Sequence, residues 1–426
     1  MVFAKFFSDK LNERRAASSF IALPEDIEFT KRGKFGFRMK NKNKHDGIHG
    51  LIPREKMTPS AIKLRDTYSI KPDAPLFHKT FGLWLCIDHW YENGLDRNMD
   101  VDEFFLFDQP GHHEIMELGW CEAAFVPEFE EKLIEDRGTT EVIQDFAGRK
   151  LLCFKGRRHG FMPEYLDHPV KDERTWQDNV KWRLDPATAA RYSNFEIRMN
   201  RARDAAAKGL MIQQRIIGGY MYLRSLIGPE DLLYFFYDQP DLIHDCMKTW
   251  FELADAMTAR HQQVVTFDEI YIGEDICYNH GPLISPDMIK EFMFPYYQQL
   301  MKNIKSRQID KRRHLYFQLD TDGYSIPVID LYRDHIGMDA MSPFEVASGC
   351  DVVQVGKDYP ELIMSGGIDK RVLAQGPDVI DRYLEKILPV MRKRGGYIPT
   401  CDHGVPTEVS WQNYLFYRRR CVEYGG

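Results

Sequence analysis

The sequence lacks several features that would assign it to a whole class of proteins. It has no apolar run of the roughly 20 residues that a membrane-spanning helix needs. Its first residues contain neither the apolar core nor the cleavage site of a secretory leader. Its eight cysteines are scattered and include no C-x-x-C pair, which is typical of reduced core thiols. We therefore expect a cytoplasmic protein with no membrane span and no disulfide framework.

Two further absences concern ligands. The net charge is −7, and no cluster of Lys and Arg is backed by aromatic residues, so a nucleic-acid-binding surface is not expected. The most basic segment, residues 31–45, is predicted to be a solvated N-terminal arm. No G-x-G-x-x-G motif follows a predicted strand, which argues against a dinucleotide-binding fold.

What the sequence does contain is a regular alternation of strands and helices. From about residue 205, short apolar strands alternate with amphipathic helices in at least six units, and residues 240–263 and 376–396 are the clearest helices. Strand–helix alternation predicts a parallel sheet covered by helices. The expected fold is therefore α/β, and our first choice is an eight-stranded (β/α)8 TIM barrel. A doubly wound open sheet is the alternative.

The first part of the chain is organised differently. Residues 1–75 are polar and irregular, and we assign them to an N-terminal extension that precedes a barrel domain over residues 76–426. Within that domain, residues 139–155 are predicted to form a β-hairpin insertion, because two β-rich runs flank a turn. The stretch "GHHE", which contains His112 and His113, is expected to be a surface turn.

Polar side chains follow the predicted strands of the regular half. A carboxylate in this position can simply cap the next helix. In a barrel, however, the carboxyl ends of the strands converge on the face that carries the active site. Carboxylates crowded there raise one another's pKa, so a metal ion or basic groups are expected among them. The residues in question, strand by strand, are Glu274 and Asp275, Asp320 and Asp322, Glu345, Asp369, and finally Cys401, Asp402 and His403.

These residue types also limit the ligands that the face could hold. Thiolate, imidazole and carboxylate groups are the ligands that Zn²⁺ accepts, and a catalytic zinc keeps one position open. Aromatic residues near the same strand ends suit a flat, apolar substrate with one or two polar groups. The aromatic candidates are Tyr220, Tyr278, Tyr324 and Phe344.

Four ordered stretches resemble the uroporphyrinogen decarboxylase superfamily. They are "GEDICYNHGPLISPDMIKEFMFPYY", "SPFEVASGCDVV", "SGGIDKRVL" and "GYIPTCDHGVPTEVSWQNY". The likeness covers about residues 205–426, is weaker from about residue 75, and implies a single (β/α)8 barrel. The decarboxylase branch of the superfamily carries an arginine-rich R-Q-A-G-R-Y type of motif near its N-terminus, which is absent here. The acidic strand ends also have the wrong sign for a polycarboxylate substrate.

The resemblance therefore points to the other branch, the zinc- and corrinoid-dependent methyltransferases. In that branch a His-x-Cys pair and a later cysteine bind zinc. The later cysteine falls on Cys401, and the His-x-Cys pair falls on Asp320-Thr321-Asp322, so both earlier ligands would be carboxylates. The resemblance thus implies a metal site of Glu274, Asp320 and Cys401. Such an oxygen-rich site suits polarising an ether oxygen better than activating a thiol.

The subgroup that the chain resembles is the O-demethylase methyltransferases. The implied activity is zinc-dependent transfer of a methyl group from an aryl methyl ether to the Co(I) of a partner corrinoid protein. The cobalamin would arrive on the partner, because this chain has no D-x-H-x-x-G motif. The implied catalytic residues are His403, Asp402 and Asp322, and the implied substrate-binding residues are Tyr220, Tyr278, Tyr324, Phe344 and Glu345.

Three alternatives remain open at this point. The chain could be a methyltransferase that acts on a methylamine, a thiol or another methyl donor, or it could be a true decarboxylase, for which Arg215 and Arg224 are the nearest arginines. A non-catalytic barrel that binds a tetrapyrrole or methylated ligand is the third. A homodimer is expected on family analogy alone.

Overall fold

A parallel sheet forms the centre of the fold. The computed structural model describes residues 47–158 and 163–426, so the predicted basic arm and residues 1–46 of the predicted extension lie outside the described residues. In chain order, the strands are β1 (His112–Leu118), β2 (Lys132–Asp136), β3 (Thr140–Gln144), β4 (Lys150–Phe154), β5 (Glu164–Asp167), β6 (Met211–Ile217), β7 (Glu269–Gly273), β8 (Cys277–Tyr278), β9 (Gly281–Pro282), β10 (Tyr316–Asp320), β11 (Ala340–Ser342), β12 (Ile363–Ser365) and β13 (Tyr397–Ile398).

Helices follow most of these strands. In chain order, they are α1 (Pro59–Tyr68), α2 (Ile87–Glu92), α3 (Val101–Phe104), α4 (Glu173–Thr175), α5 (Phe195–Ala207), α6 (Gly219–Ile227), α7 (Asp231–Asp238), α8 (Pro240–His261), α9 (Pro286–Phe292), α10 (Phe294–Arg307), α11 (Ile329–Ile336), α12 (Val352–Asp358), α13 (Lys370–Leu373), α14 (Pro377–Arg394) and α15 (Trp411–Gly425). Single turns of other helix types span Arg54–Lys56, Leu83–Leu85, Trp176–Val180, Lys181–Leu184, Ala189–Tyr192, Ile326–Val328 and Val346–Ser348. Among the described residues, no helix is long and apolar enough to cross a membrane.

The predicted TIM barrel is confirmed. Seven strands pair in the order β1-β6-β7-β10-β11-β12-β13, and every pair is parallel. The extended segment 76–82 lies next to this sheet. Its Phe77 packs with Met211 of β6 and Ile398 of β13, and the carbonyl of Gly82 accepts a hydrogen bond from the Val405 amide at 2.7 Å. The helices surround the strands and bury the main apolar core between the two layers.

Alternation along the strands gives the barrel a polar interior, which we call the lumen. Successive side chains of a strand point to opposite faces. In β6, Gln213 donates a hydrogen bond to Glu269 of β7 at 2.7 Å, and Arg215 donates to Glu114 of β1 at 2.8 Å. On the other face, Gln214 contacts His261 Nδ1 of α8 at 2.7 Å, and Ile212 and Ile216 belong to the apolar core. The polar lumen-facing residues of four neighbouring strands are Glu114, Gln213, Arg215, Glu269, Tyr271, Gln318 and Asp320.

An apolar floor closes the amino-terminal end of the lumen. Its buried residues are Leu64, Tyr68, Phe77, Met211, Ala340, Ile363 and Ile398. The first two come from α1, so residues that the sequence assigned to the extension pack directly under the barrel. Above this floor, the Tyr68 hydroxyl donates to Glu269 at 2.7 Å and to Gln318 at 3.2 Å. The carboxyl ends of the strands, opposite the floor, form an opening that we call the mouth.

Two segments before residue 205 have defined roles in the sheet structure. The "GHHE" stretch is not a surface turn, because His112 and Glu114 lie within β1 and pair in register with Met211 and Gln213 of β6. Residues 139–155 contain the antiparallel pair β3–β4, which belongs to a separate four-stranded sheet of order β2-β3-β4-β5.

The loop after β12 provides a test of the packing at the mouth. Gly366 has a φ of +113°, and a Cβ built on it would lie 1.7 Å from the Pro343 carbonyl oxygen. Gly376 has a similar φ of +108° with nothing within 4 Å. We expect Gly376→Ala to carry only the backbone cost of about 1–3 kcal/mol. Gly366→Ala adds a clash with the backbone and should lower the free energy of unfolding by about 4 kcal/mol or more. Urea denaturation of both variants measures the difference, and equal losses would show that the loop relaxes around the new methyl group.

Candidate active site at the mouth of the barrel

An ion pair lies in the middle of the lumen. The Glu114 carboxylate accepts hydrogen bonds from Arg215 Nη1 at 2.8 Å and from His112 Nε2 at 2.9 Å. Burial alone would raise the pKa of Glu114, but the hydrogen bond with His112 and the charges of Lys79 and Arg215 hold that pKa far below its usual range. Glu114 is therefore ionised at neutral pH, and Arg215 has a permanent counter-charge.

Two aromatic rings, whose centroids lie 5.6 Å from each other, lie beside the guanidinium of Arg215. Its central carbon lies 3.9 Å from the ring centroid of Trp120 and 4.7 Å from that of Tyr271. Trp120 can approach this closely because β7 ends in a glycine, and a Cβ on Gly273 would lie 2.9 Å from the indole. Trp120 is 37% exposed, so the stack reaches from the lumen to the mouth. Cation–π contacts of this kind stabilise a charged side chain in a partly desolvated position.

Asp320 lies on β10, two strands away from Arg215 of β6. Its carboxylate accepts a hydrogen bond from the Ser342 hydroxyl, and Ser342 in turn accepts one from Gln318 Nε2 at 2.9 Å. Burial and the neighbouring charge of Asp322 raise the pKa of Asp320 to about 6. Arg215 and Asp320 therefore bring a permanent cation and a titratable carboxyl group to the lumen.

Charged residues also pair at the mouth itself. His403 Nε2 lies 3.3 Å from Asp322 Oδ2, and its ring meets Trp84 edge-on with the centroids 6.0 Å apart. The hydrogen bond to Asp322 raises the pKa of His403, against the effect of burial. Asp275 pairs with Arg224 Nη2 at 2.5 Å. The mouth therefore holds a histidine with a raised pKa, which suits proton transfer, and it also holds the ion pair of Asp275 and Arg224.

A second group of charges fixes the loops around the mouth. The Glu345 carboxylate accepts a hydrogen bond from the Gly323 amide at 3.0 Å, and Lys370 Nζ lies 3.4 Å from Glu345 and 3.7 Å from Asp402. Asp402 is fully buried and accepts hydrogen bonds from the amides of Val346 at 3.0 Å and Lys370 at 3.2 Å. These contacts tie three loops together. They make Asp402 a residue that positions its neighbour His403, with both carboxylate oxygens already occupied.

Glu274, one of the implied zinc ligands, points away from the lumen. It follows Gly273 in β7 and falls on the face that packs against the helices. Its carboxylate accepts hydrogen bonds from the Tyr220 amide at 3.0 Å and from the Tyr297 hydroxyl, at the start of α6. Burial raises the pKa of Glu274 to about 7. The carboxylate therefore serves the helix end, where negative charge is favoured.

Cys401, the implied thiolate ligand, also lies on the outer face. It is 1% exposed and belongs to the apolar core between barrel and helices. Burial raises the pKa of its thiol well above the usual value, and the negative charge of Asp402 acts in the same direction. In residues 47–158 and 163–426, no three His, Cys, Asp or Glu side chains are arranged to hold a metal ion. The residues present do not fit the implied site of Glu274, Asp320 and Cys401.

The aromatic candidates separate into two groups. Tyr220 is 1% exposed and Phe344 is 0% exposed, so both lie in the buried core, and their contact with substrate stays a prediction. Tyr278 is 45% exposed, and its carbonyl accepts a hydrogen bond from the amide of half-buried Tyr324 at 2.8 Å. These two tyrosines remain available to a ligand at the mouth.

Sequence reasoning missed the lumen residues Arg215, Glu114, Trp120 and Tyr271 as members of one site. A signal for three of them was present. Polar residues stand two positions apart in β1 (His112 and Glu114), β6 (Gln213 and Arg215) and β7 (Glu269 and Tyr271), whereas strands that are buried on both faces are normally apolar throughout. Trp120 follows β1 and carries no such signal.

Comparison with known proteins places the chain in a family. The family model described as "Uroporphyrinogen decarboxylase (URO-D)" matches residues 203–423, more than half of the chain. The chain belongs to this family. Among solved structures, a methyltransferase from Methanosarcina mazei aligns with a TM-score of 0.54 and 12% identity over 86% of this chain and 99% of that chain.

Other comparisons add little. A putative vitamin-B12-independent methionine synthase from Listeria monocytogenes aligns with a TM-score of 0.31 and 12% identity, over 54% of this chain and 68% of that chain. No curated protein sequence matches. At these identities the structural likeness to the Methanosarcina protein establishes a shared fold, and the resemblance to the superfamily that the sequence suggested is confirmed by the family match.

The His403–Asp322 pair predicts a titration. Replacing Asp322 by Asn removes the hydrogen bond that raises the pKa of His403, so that pKa should fall, and burial should carry it below the ordinary value of about 6.5. NMR titration of the imidazole, assigned with His403→Gln, measures the change. In the wild type the pair should stabilise the fold fully below about pH 6.5, and this stabilisation should be lost as the pH rises through the higher folded pKa. An unchanged pKa in Asp322→Asn would show that the pair is absent in solution.

The position of Cys401 predicts the outcome of a metal analysis. We expect Cys401→Ala to leave the zinc content of the purified protein unchanged, whatever that content is. The variant should lower the free energy of unfolding by on the order of 1 kcal/mol, because a buried sulfur is lost. Cys421→Ala, in the same core, is the matched control and should behave alike. Near-stoichiometric zinc that disappears only in Cys401→Ala would restore the thiol as a ligand.

Proposed function

We propose that this chain is a methyltransferase that transfers a methyl group from an aryl methyl ether to the corrinoid of a partner protein. Membership of the uroporphyrinogen decarboxylase family and the fold shared with a methyltransferase from Methanosarcina mazei support this proposal. The observation that carries it is the contact of His403, whose pKa Asp322 raises, with that carboxylate at the mouth of a lumen that contains Arg215. This arrangement is suited to a reaction in which an oxygen leaves with negative charge.

The residues of the mouth have separate tasks in this proposal. Tyr278 and Tyr324 hold the aromatic ring, and Glu345 orders the loop beside it. His403, whose pKa is raised by Asp322, donates a proton to the departing oxygen, and Asp402 holds the loop that presents His403. When the partner is bound, its corrinoid supplies the nucleophile that accepts the methyl group. Because the implied zinc ligands do not fit, we assign no step to a metal.

A decarboxylase is a weaker candidate. Binding a polycarboxylate requires unpaired cationic side chains that converge on the pocket. Arg215 is paired with Glu114 at 2.8 Å, and Arg224 is paired with Asp275 at 2.5 Å. Each arginine therefore already has a carboxylate partner, and a polyanionic substrate would have to compete with both.

The proposal also covers the partner protein, the cellular location and the oligomeric state. The partner corrinoid protein would dock at the mouth, since the methyl group must be transferred there. A cytoplasmic location agrees with the eight free cysteines of the chain. A homodimer remains part of the proposal on family analogy.

Methyl transfer can be tested with free cob(I)alamin in place of the partner. Under anaerobic conditions, the protein and a panel of methoxylated aromatic compounds should yield the demethylated phenol, measured by chromatography, as the absorbance of cob(I)alamin falls. We expect His403→Gln to lower kcat by about 10²–10⁴-fold, the range for loss of a general acid. His335→Gln, an exposed histidine on α11, is the matched control and should retain wild-type activity.

The same assay separates the alternatives. Methyl transfer from a methylamine or a methylated thiol, with none from any ether, would change the substrate class and keep the reaction. Loss of CO2 from uroporphyrinogen without methyl transfer would replace the proposal with decarboxylation. Full activity in His403→Gln would remove the proton donor from the mechanism.

A further inference from the structure

The guanidinium of Arg215 has a free edge inside the lumen. The rings of Trp120 and Tyr271 lie beside it, and Nη1 is occupied by Glu114 at 2.8 Å. Nε is buried and has no hydrogen-bond partner among the described residues. A buried donor without a partner is costly, and in native proteins such a group calls for a specific explanation.

The surroundings of Arg215 define what could satisfy this edge. Asp320 also faces the lumen, but its carboxylate is engaged by Ser342 and forms no ion pair with Arg215 among the described contacts. The exposed Trp120 connects the stack to the mouth, where Tyr278 and His403 lie. A ligand oxygen that descends from the mouth would therefore meet a permanent positive charge before it meets the floor.

We propose that Arg215 stabilises the negative charge that develops on the ether oxygen as the methyl group leaves. This inference rests on the proposed function and deepens it by naming the group that binds the leaving oxygen. In the step, the C–O bond breaks, the methyl carbon forms its new bond to the Co(I) nucleophile of the partner, and the bonding electron pair stays on the oxygen. The resulting phenolate is held by Arg215 until His403 supplies a proton.

The structure of the stack suits this task. A fixed charge stabilises a transition state best when it needs no reorganisation at the moment of reaction, and the two rings and Glu114 hold the guanidinium in one orientation. Arginine also remains charged at any pH at which the enzyme could work. Glu114 reduces the field of Arg215 and thereby keeps a buried cation tolerable.

Binding of coloured phenols tests the inference without methyl transfer. Nitrophenols absorb differently as phenol and phenolate, so the spectrum of the bound molecule reports its ionisation. We expect the wild-type protein to bind nitrophenols as the phenolate and to favour ionisation by tenfold or more over free solution, since a cation within about 4–6 Å commonly lowers an acid's pKa by 1–3 units. Arg215→Gln should abolish this shift, and Arg215→Lys should retain part of it.

Matched variants make the test specific. Arg224→Gln removes another arginine of the mouth and should leave the shift intact. Glu114→Gln removes the counter-charge and should enlarge the shift. If Arg215→Gln fails to fold because Glu114 is left buried and unpaired, the double variant Arg215→Gln/Glu114→Gln removes both charges and should also abolish the shift.

The outcomes distinguish this inference from the proposed function. Nitrophenols that bind with the same shift in Arg215→Gln as in the wild type would overturn the role of Arg215 and leave the proposed function standing. If Arg224→Gln loses the ionisation shift to the same extent as Arg215→Gln, the shift comes from the general positive charge at the mouth and not from Arg215 in particular. If no phenol binds to the wild type, the protein does not accept an aromatic leaving group. Both the proposed methyl transfer from an aryl ether and the proposed role of Arg215 would then be wrong.

Discussion

The alternation of side chains along the barrel strands is the constraint on which the rest of this structure depends. Each strand places one residue in the lumen and the next against the helices, so adjacent residues experience opposite environments. Gly273 lies at the lumen while Glu274 caps α6. A one-residue difference in this register would exchange the polar lumen for the apolar outer layer. Whether a residue reaches the functional surface therefore depends on which face of the strand it occupies as much as on its residue type.

Burial of charge is the second constraint, and it follows from the first. Since the lumen is enclosed by strands, each ionised group in it needs a partner to offset the loss of hydration. Glu114 and Arg215 provide this for each other, and Tyr68 and Gln213 provide hydrogen bonds for Glu269. Burial and the charge of Asp322 raise the pKa of Asp320 to about 6, against the effect of its hydrogen bond with Ser342. Most charged groups of the lumen are therefore neutralised by a neighbouring partner. The groups that stay available for chemistry are the carboxyl group of Asp320 and Nε of Arg215.

Much of the fold could be predicted from the sequence, because helix periodicity and buried strands leave strong local signals. The helix over residues 376–396 and the strand before Cys401 are examples. The site was predicted only in part. Strand ends were located correctly, but the face of each residue was not, since the strand before Cys401 is too short and apolar to reveal its register. His112 was misplaced because β1 is isolated in sequence from the regular half and pairs with β6 only in three dimensions.

The outward position of Cys401 changes how the chemistry of this chain must be explained. The thiol of Cys401 is packed among apolar side chains between the barrel and the helices and does not face the mouth. The charge of a leaving oxygen must then be offset by groups that do face the mouth. Arg215 meets this need with a fixed charge, and His403 meets it with a transferable proton. The two act at different levels of the same opening, so stabilisation of the oxygen anion can precede its protonation.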